Sequence, residues 1–340
     1  MQEPGRDGQR INTQERGPHL VSTKRILCAD IGGTNSRLGH FGTDPAGNLS
    51  VVETKWFRTE EAASFGHLIR LLRESEFQLM PGDADIVVIA VAGPVERGVY
   101  SAPPLIPWEV DITNAWTDYG FKRSILINDF VAQAYATRTI AGQSARGILT
   151  GHIIPMGTVG VIGAGTGLGK AMLVSDSNGR YIAIPSEGAH AVFPFVSQDE
   201  FRFHEFLIQE LGEEYITANS VVSGKGLTLV HQFLTGEKLE PQDVMARCTL
   251  NCDTLIWASR FYGRACRNFA LEGLCIGGIY IAGGIAAKLP QLVTHNAFSW
   301  EFRSSKTMGR ILAQIPVALM SDEESGLWGA AFLGQQVMQE

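Results

Sequence analysis

The sequence predicts an α/β protein of two similar halves with a cleft between them. Three stretches carry that expectation. "LCADIGGTNSRLGHF" (27–41) is an acid-ended strand running into a glycine turn, "VGVIGAGTGLGKAMLV" (159–174) is a second glycine hairpin, and "SILINDFVAQAYATRTI" (124–140) is a strand that breaks into a helix at two polar residues.

In the first stretch, Ile26 to Ala29 reads as a buried strand, and Gly32-Gly33 as a tight turn that residues without side chains make at little cost. Arg37 to Phe41 then pairs back as a second strand. Such a hairpin gathers backbone N–H groups on one concave surface, which suits a phosphate, and Thr34 adds a hydroxyl donor. Asp30 would repel a phosphate directly, so its use would be to hold Mg²⁺ or its waters beside one. An ordinary hairpin with an acid at its mouth accounts for this stretch equally well.

Further along come a third strand, "LSVVETKWF", a helix over about 62–76 and the buried strand "ADIVVIAVAG". Strand Ser124 to Ile127 then meets a helix from Asp129, with Asn128-Asp129 at the carboxyl edge where open α/β sheets bind ligands. An N-cap explains that pair as readily. The second hairpin places Gly163, Gly165, Gly167 and Gly169 between apolar strands. It is not a Walker loop, because Gly169-Lys170 is followed by Ala171 and position 164 is Ala. It is not a dinucleotide fingerprint, because Leu168 takes the third glycine position and a strand follows. A phosphate cradle with Thr166 as hydroxyl donor remains. Helical spacing recurs over Gln198 to Leu211, Gly224 to Leu234 and Thr254 to Leu271, before a last buried strand "GIYIAGG", a helix from Ile285, "VALMSD" and the closing helix "SGLWGAAFLGQQVM".

Composition bounds the function. A chain of 340 residues with 45% hydrophobic and 19% charged residues has room for two domains. Its net charge of -7 argues against a nucleic-acid partner. No apolar run reaches membrane-spanning length, and Met1 to Lys24, rich in Gln, Arg, Gly and Glu, reads as a disordered tail. Five scattered cysteines point away from a disulfide framework and toward the cytoplasm. Cys248 and Cys252, four apart, read as small core residues of one helix rather than as metal ligands.

In "PSEGAH", Glu187 and His190 place a carboxylate three residues from a ring that donates and accepts, a set suited to a polyhydroxylated ligand. They could equally satisfy loop amides.

Two glycine hairpins, an Asn-Asp at a strand end, a Glu-Gly-Ala-His loop and an "AGG" turn, in this order from about Arg25 to the C-terminus, resemble the bacterial glucokinases of the actin, Hsp70 and hexokinase superfamily. The resemblance implies a ribonuclease-H-like (actin-like ATPase) fold, with a small lobe over 25–139 completed by a C-terminal helix over 322–340, and a large lobe over 140–321. It implies transfer of the γ-phosphate of Mg-ATP to the 6-hydroxyl of glucose, and a homodimer. Asp129 would be the base, with Asn128, Glu187, His190 and Asn219 on the sugar. Ala29, Asp30, Ile31, Gly32, Gly33, Thr34, Gly165, Thr166, Gly167, Ser223, Gly224, Gly283 and Gly284 would line the nucleotide, Asp30 also supporting Mg²⁺ indirectly.

Two departures bear on the sugar. "YSAPPLIPW" (100–108) replaces a Thr-Asn segment, and Asn219 stands where the family carries an acid. A kinase for another hexose or an aminosugar stays open on the same scaffold. A non-catalytic sugar sensor or an actin-like ATPase module is the rival of another class, although the chain has no evident DNA-binding helix pair.

Overall fold

The computed structural model describes residues 24–339. Of the expected tail, Met1 to Thr23 lies outside these residues, and Lys24 belongs to the first strand instead.

Strands β1 (Lys24–Ile31), β2 (Asn35–Thr43), β3 (Leu49–Arg58), β4 (Ile86–Val91) and β7 (Ser124–Asn128) form one sheet in the order β3-β2-β1-β4-β7, while β5 (Tyr100–Ser101) and β6 (Val110–Asp111) make a small ribbon. The first hairpin pairs as expected, with Ile31 opposite Ser36 and Ala29 opposite Leu38. From β1 the sheet continues in parallel through β4 to β7, so the carboxyl ends of all three point to one edge. Because successive strand residues face opposite sides, Leu27, Ala29 and Ile31 pack with Phe65, Leu68 and Leu72 of helix Phe65–Glu74. Ile26 and Cys28 face helices Asp129–Ala136 and Ser325–Met338. With both faces covered, the run from Ile26 to Ile31 is continuously buried.

A second sheet runs β11-β10-β9-β12-β13-β8, from β8 (Arg146–Leu149), β9 (Val159–Ala164), β10 (Leu168–Ser175), β11 (Tyr181–Ser186), β12 (Ile279–Ala282) and β13 (Val317–Leu319). Helices Asp129–Ala136 and Ser325–Met338 share one core cluster with residues of both sheets, including Val88 of the first and Val161 and Leu173 of the second. They approach closely: a side chain on Gly329 would collide with the backbone of Ala132. On its far face the second sheet carries helix Asp253–Glu272, in a cluster with Phe203, Phe261 and Phe298.

The expected helices over 198–211, 224–234 and 254–271 appear as Gln198–Leu211, Gly224–Thr235 and Asp253–Glu272. The cysteine pair differs from expectation. Cys248 ends helix Pro241–Arg247 and Cys252 caps helix Asp253–Glu272 through its sulfur, so a turn separates them where one helix was expected.

Candidate active site

The first turn lies between β1 and β2. Gly32 N–H donates to Asn35 O at 3.0 Å and closes the turn on itself, so this amide is not offered to a ligand as the family resemblance implied. Gly33 and Thr34 remain exposed, and the Thr34 hydroxyl carries no hydrogen bond. Ala29 and Ile31 turn their side chains into the core and bring only backbone to the site. Leu105, from the departing segment, stands against Gly33: a Cβ there would lie 3.2 Å from Leu105 O. Pro103 packs in the same way against Gly93.

Asp30, one residue before the end of β1, is nearly buried, with Arg37 Nη1 at 3.4 Å, and lies against the first turn of helix Ser325–Met338 beside Gly326. Burial raises its pKa, and Arg37 only partly offsets that.

Asn128 caps helix Asp129–Ala136. Its Oδ1 accepts from Phe130 N at 2.9 Å and Val131 N at 3.4 Å, and its Nδ2 donates to Gly93 O at 3.0 Å. Its amide therefore ties the cap to the neighbouring loop. Asp129 has one oxygen on Phe130 N at 3.0 Å. Its pKa is raised to about 7, first by burial and then by the charge of Asp30, with a smaller push from Glu187. The two carboxylates of the parallel strand ends and the one from the "PSEGAH" loop thus share one electrostatic field.

Phe130 fixes this helix on the second hairpin. In β9 and β10, Gly163 pairs with Gly169, and the Phe130 ring lies over that pair. A Cβ on Gly163 would lie 3.1 Å from the ring, and one on Gly169 would occupy the ring's own space. These two glycines serve packing, while those between them form the turn. There Gly165 N–H donates to Gly167 O at 2.7 Å, repeating the self-closure of the first turn, and Gly165 O accepts from Gly224 N at 3.0 Å. Gly165 is therefore spent on its own turn. The amides of Thr166 and Gly167 and the Thr166 hydroxyl carry no hydrogen bond. Asn219 Oδ1 accepts from Leu168 N at 2.8 Å, an engagement inside the protein where a sugar contact was expected.

Glu187 and His190 flank a short turn, exposed, with Glu187 Oε2 and His190 Nε2 3.8 Å apart. Beneath it, buried Lys170 reaches toward Gly188 O at 3.4 Å and lies over the Phe269 ring. Burial lowers its pKa.

At the other end of the second turn, Ser223 caps helix Gly224–Thr235 through its hydroxyl, which accepts from Gly226 N at 3.1 Å. Gly283 has φ +89°, and a Cβ there would meet Ala164 O at 2.6 Å, so only glycine fits. Gly284 faces open space. Ala164, Ser223, Tyr262 and Ile285 line an indentation beside this turn.

Sequence reasoning did not find Phe130, Lys170, Tyr262 or Arg264. Tyr262 Oη accepts from Ala164 N at 3.1 Å. Arg264, wholly buried, bonds Glu200, Glu301 and Pro194 O, the last four residues beyond His190. The aligned glycine pair 163 and 169 was the available signal for Phe130. The others contact sites distant in the chain and leave no local pattern.

A family model described as Glucokinase matches residues 27–337. A glucokinase of Pectobacterium atrosepticum is 32% identical over 327 residues, covering 93% of this chain and 98% of the relative. Among solved structures, a glucokinase from an Antarctic psychrotroph superposes with a TM-score of 0.78 at 25% identity, over 91% of this chain and 98% of that one. A ROK family glucokinase from Streptomyces griseus, solved in complex with glucose and AMPPNP, superposes with a TM-score of 0.59 at 19% identity, over 91% of this chain and 98% of that one.

Proposed function

The chain belongs to the glucokinase family, and we propose that it transfers the γ-phosphoryl group of Mg-ATP to the 6-hydroxyl of D-glucose. The observation that carries this reading is the placement of Asp129: a half-buried carboxylate in the field of Asp30 and Glu187, at a strand end between two turns that offer amides.

Phosphoryl transfer is chiefly positioning and charge neutralisation. The amides of Gly33, Thr34, Thr166 and Gly167, with the two threonine hydroxyls, would take the phosphate oxygens. Asp129, one oxygen held by Phe130 N, keeps the other to accept the proton of the 6-hydroxyl as the new bond forms. A base poised near neutrality suits that task. Glu187 and His190 would orient the sugar through its other hydroxyls, on a turn braced from below by Lys170.

Mg²⁺ fits the residues present. Asp30 and Asp129 are desolvated and raise one another's cost of ionisation, which a cation between them and the phosphates would relieve. Among the described residues no group of three or more acidic, His or Cys side chains forms a cage, so the ion would take most of its ligands from phosphate and water oxygens. When bound, Mg²⁺ supplies charge neutralisation at the transferring phosphate.

The departures at Asn219 and at 100–108 favour one second reading, a kinase whose better substrate is another hexose or an aminosugar. A cytoplasmic homodimer belongs to the family reading. Cys28, Cys266 and Cys275, buried and unpaired, support a reducing compartment, and no helix among the described residues is long and apolar enough to cross a membrane. The test is ADP release measured with Mg-ATP alone and with each of a panel of sugars. Turnover that requires glucose supports the proposal. Sugar-independent turnover, or a better than tenfold preference for another hexose, refutes it.

A further inference from the structure

The second phosphate turn is held from outside by two side chains that the sequence does not place near each other. On its leading edge, Ala164 N–H donates to Tyr262 Oη at 3.1 Å, and the tyrosine is buried in helix Asp253–Glu272. On its trailing edge, Leu168 N–H donates to Asn219 Oδ1 at 2.8 Å, and that oxygen would lie 2.6 Å from a Cβ on Gly167. Within the turn, Gly165 N–H is taken by Gly167 O, and Gly165 O by Gly224 N. The amides of Ala164, Gly165 and Leu168 and the carbonyls of Gly165 and Gly167 are thus committed, which leaves the amides of Thr166 and Gly167 to face a ligand.

We propose that Asn219 and Tyr262 are positioning residues for the nucleotide phosphates, and that Asn219 in this chain serves the phosphate turn and is not a sugar ligand. The inference rests on the kinase reading above. A neutral side chain suits the place, because its carbonyl oxygen accepts the Leu168 amide without setting a negative charge against the turn that must hold an anion. An aspartate there would keep the hydrogen bond and oppose the phosphate.

Calorimetric titration of the full chain with AMPPNP and, separately, with glucose tests this. Asn219→Ala and Tyr262→Phe are each expected to weaken AMPPNP binding about tenfold while glucose binding stays within about twofold; Asn219→Asp should also weaken AMPPNP and spare glucose. A glucose affinity that falls about tenfold in Asn219→Ala with AMPPNP unchanged would make Asn219 a sugar ligand and overturn the proposal. Equal weakening of both ligands, or of neither, would overturn it too. Hydrogen exchange of the 159–175 segment gives a readout independent of catalysis: both variants should speed exchange at residues 164–168 without altering β12. Unchanged exchange there refutes the clamp even if the kinase reading stands. Failure of the unsubstituted chain to bind AMPPNP, with exchange accelerated as expected, refutes the kinase reading and the nucleotide role together, leaving only a structural clamp.

Discussion

With Asp129 as the proposed base, its raised pKa predicts the pH dependence of the reaction. An aspartate at its ordinary value near 3.8 would be ionised throughout the neutral range, and the rate would not respond to pH there. With a pKa of about 7, the carboxylate is half ionised at that pH and about one-tenth ionised one unit lower. The value of kcat/KM for glucose, measured by coupled assay with Mg-ATP well below saturation so that the metal-free enzyme is the titrating species, should therefore fall about tenfold per pH unit below about 7 and flatten above it. Glucose itself does not titrate in this range. The second arm is Asp30→Asn. Burial is the larger cause of the shift and the Asp30 charge the next, so removing that charge should move the acid limb downward without restoring an ordinary aspartate. Activity will also drop if Asp30 supports Mg²⁺, but the position of the limb is independent of its height. A flat profile between about pH 5.5 and 8, or a limb that stays in place in Asp30→Asn, would refute the assignment of Asp129 as base.

Asp129→Asn should remove nearly all sugar phosphorylation while glucose binding persists, and should raise the melting temperature at pH 8. The folded chain binds the Asp129 proton more tightly than the unfolded chain, so stability falls as pH rises from about 4 to about 7, and the amide escapes that loss; calorimetric melts of both proteins at pH 5 and 8 check it. Gly169→Ala should displace the Phe130 ring and with it Asp129, lowering kcat more than tenfold with a smaller effect on either KM, as steady-state kinetics would show. Arg264→Met would remove the buried guanidinium that Glu200 and Glu301 share while Arg260 and Arg267 still pair with them, and denaturant unfolding should register a loss of about 1.5–3 kcal/mol.

Elements governed by local chemistry were legible in the sequence. The glycine hairpins, the β7-to-helix junction and the long helices were each specified by turn residues or by apolar spacing within a dozen residues. β11 was not found. It is an edge strand with half of its residues exposed and Pro185 near its end, so neither continuous burial nor a long alternation marks it. The cysteine turn was misread because a four-residue spacing fits one helix turn as well as two helix ends.

At the site, identity was more legible than role. Gly32, Gly165, Asn128 and Ser223 all lie where the motifs put them, yet each commits its polar group to holding the backbone that others expose. A motif records which residues a cradle requires and does not distinguish the amides that face the ligand from those that close the turn. Four glycines at alternate positions, 163 to 169, illustrate the difference. The outer two admit the ring of Phe130, next to Asp129, and the inner two make the turn proposed to hold phosphate. One aromatic ring therefore sets how Asp129 stands against the second turn, and in the proposed kinase the glycines beneath it would matter to catalysis as much as those that would touch the nucleotide.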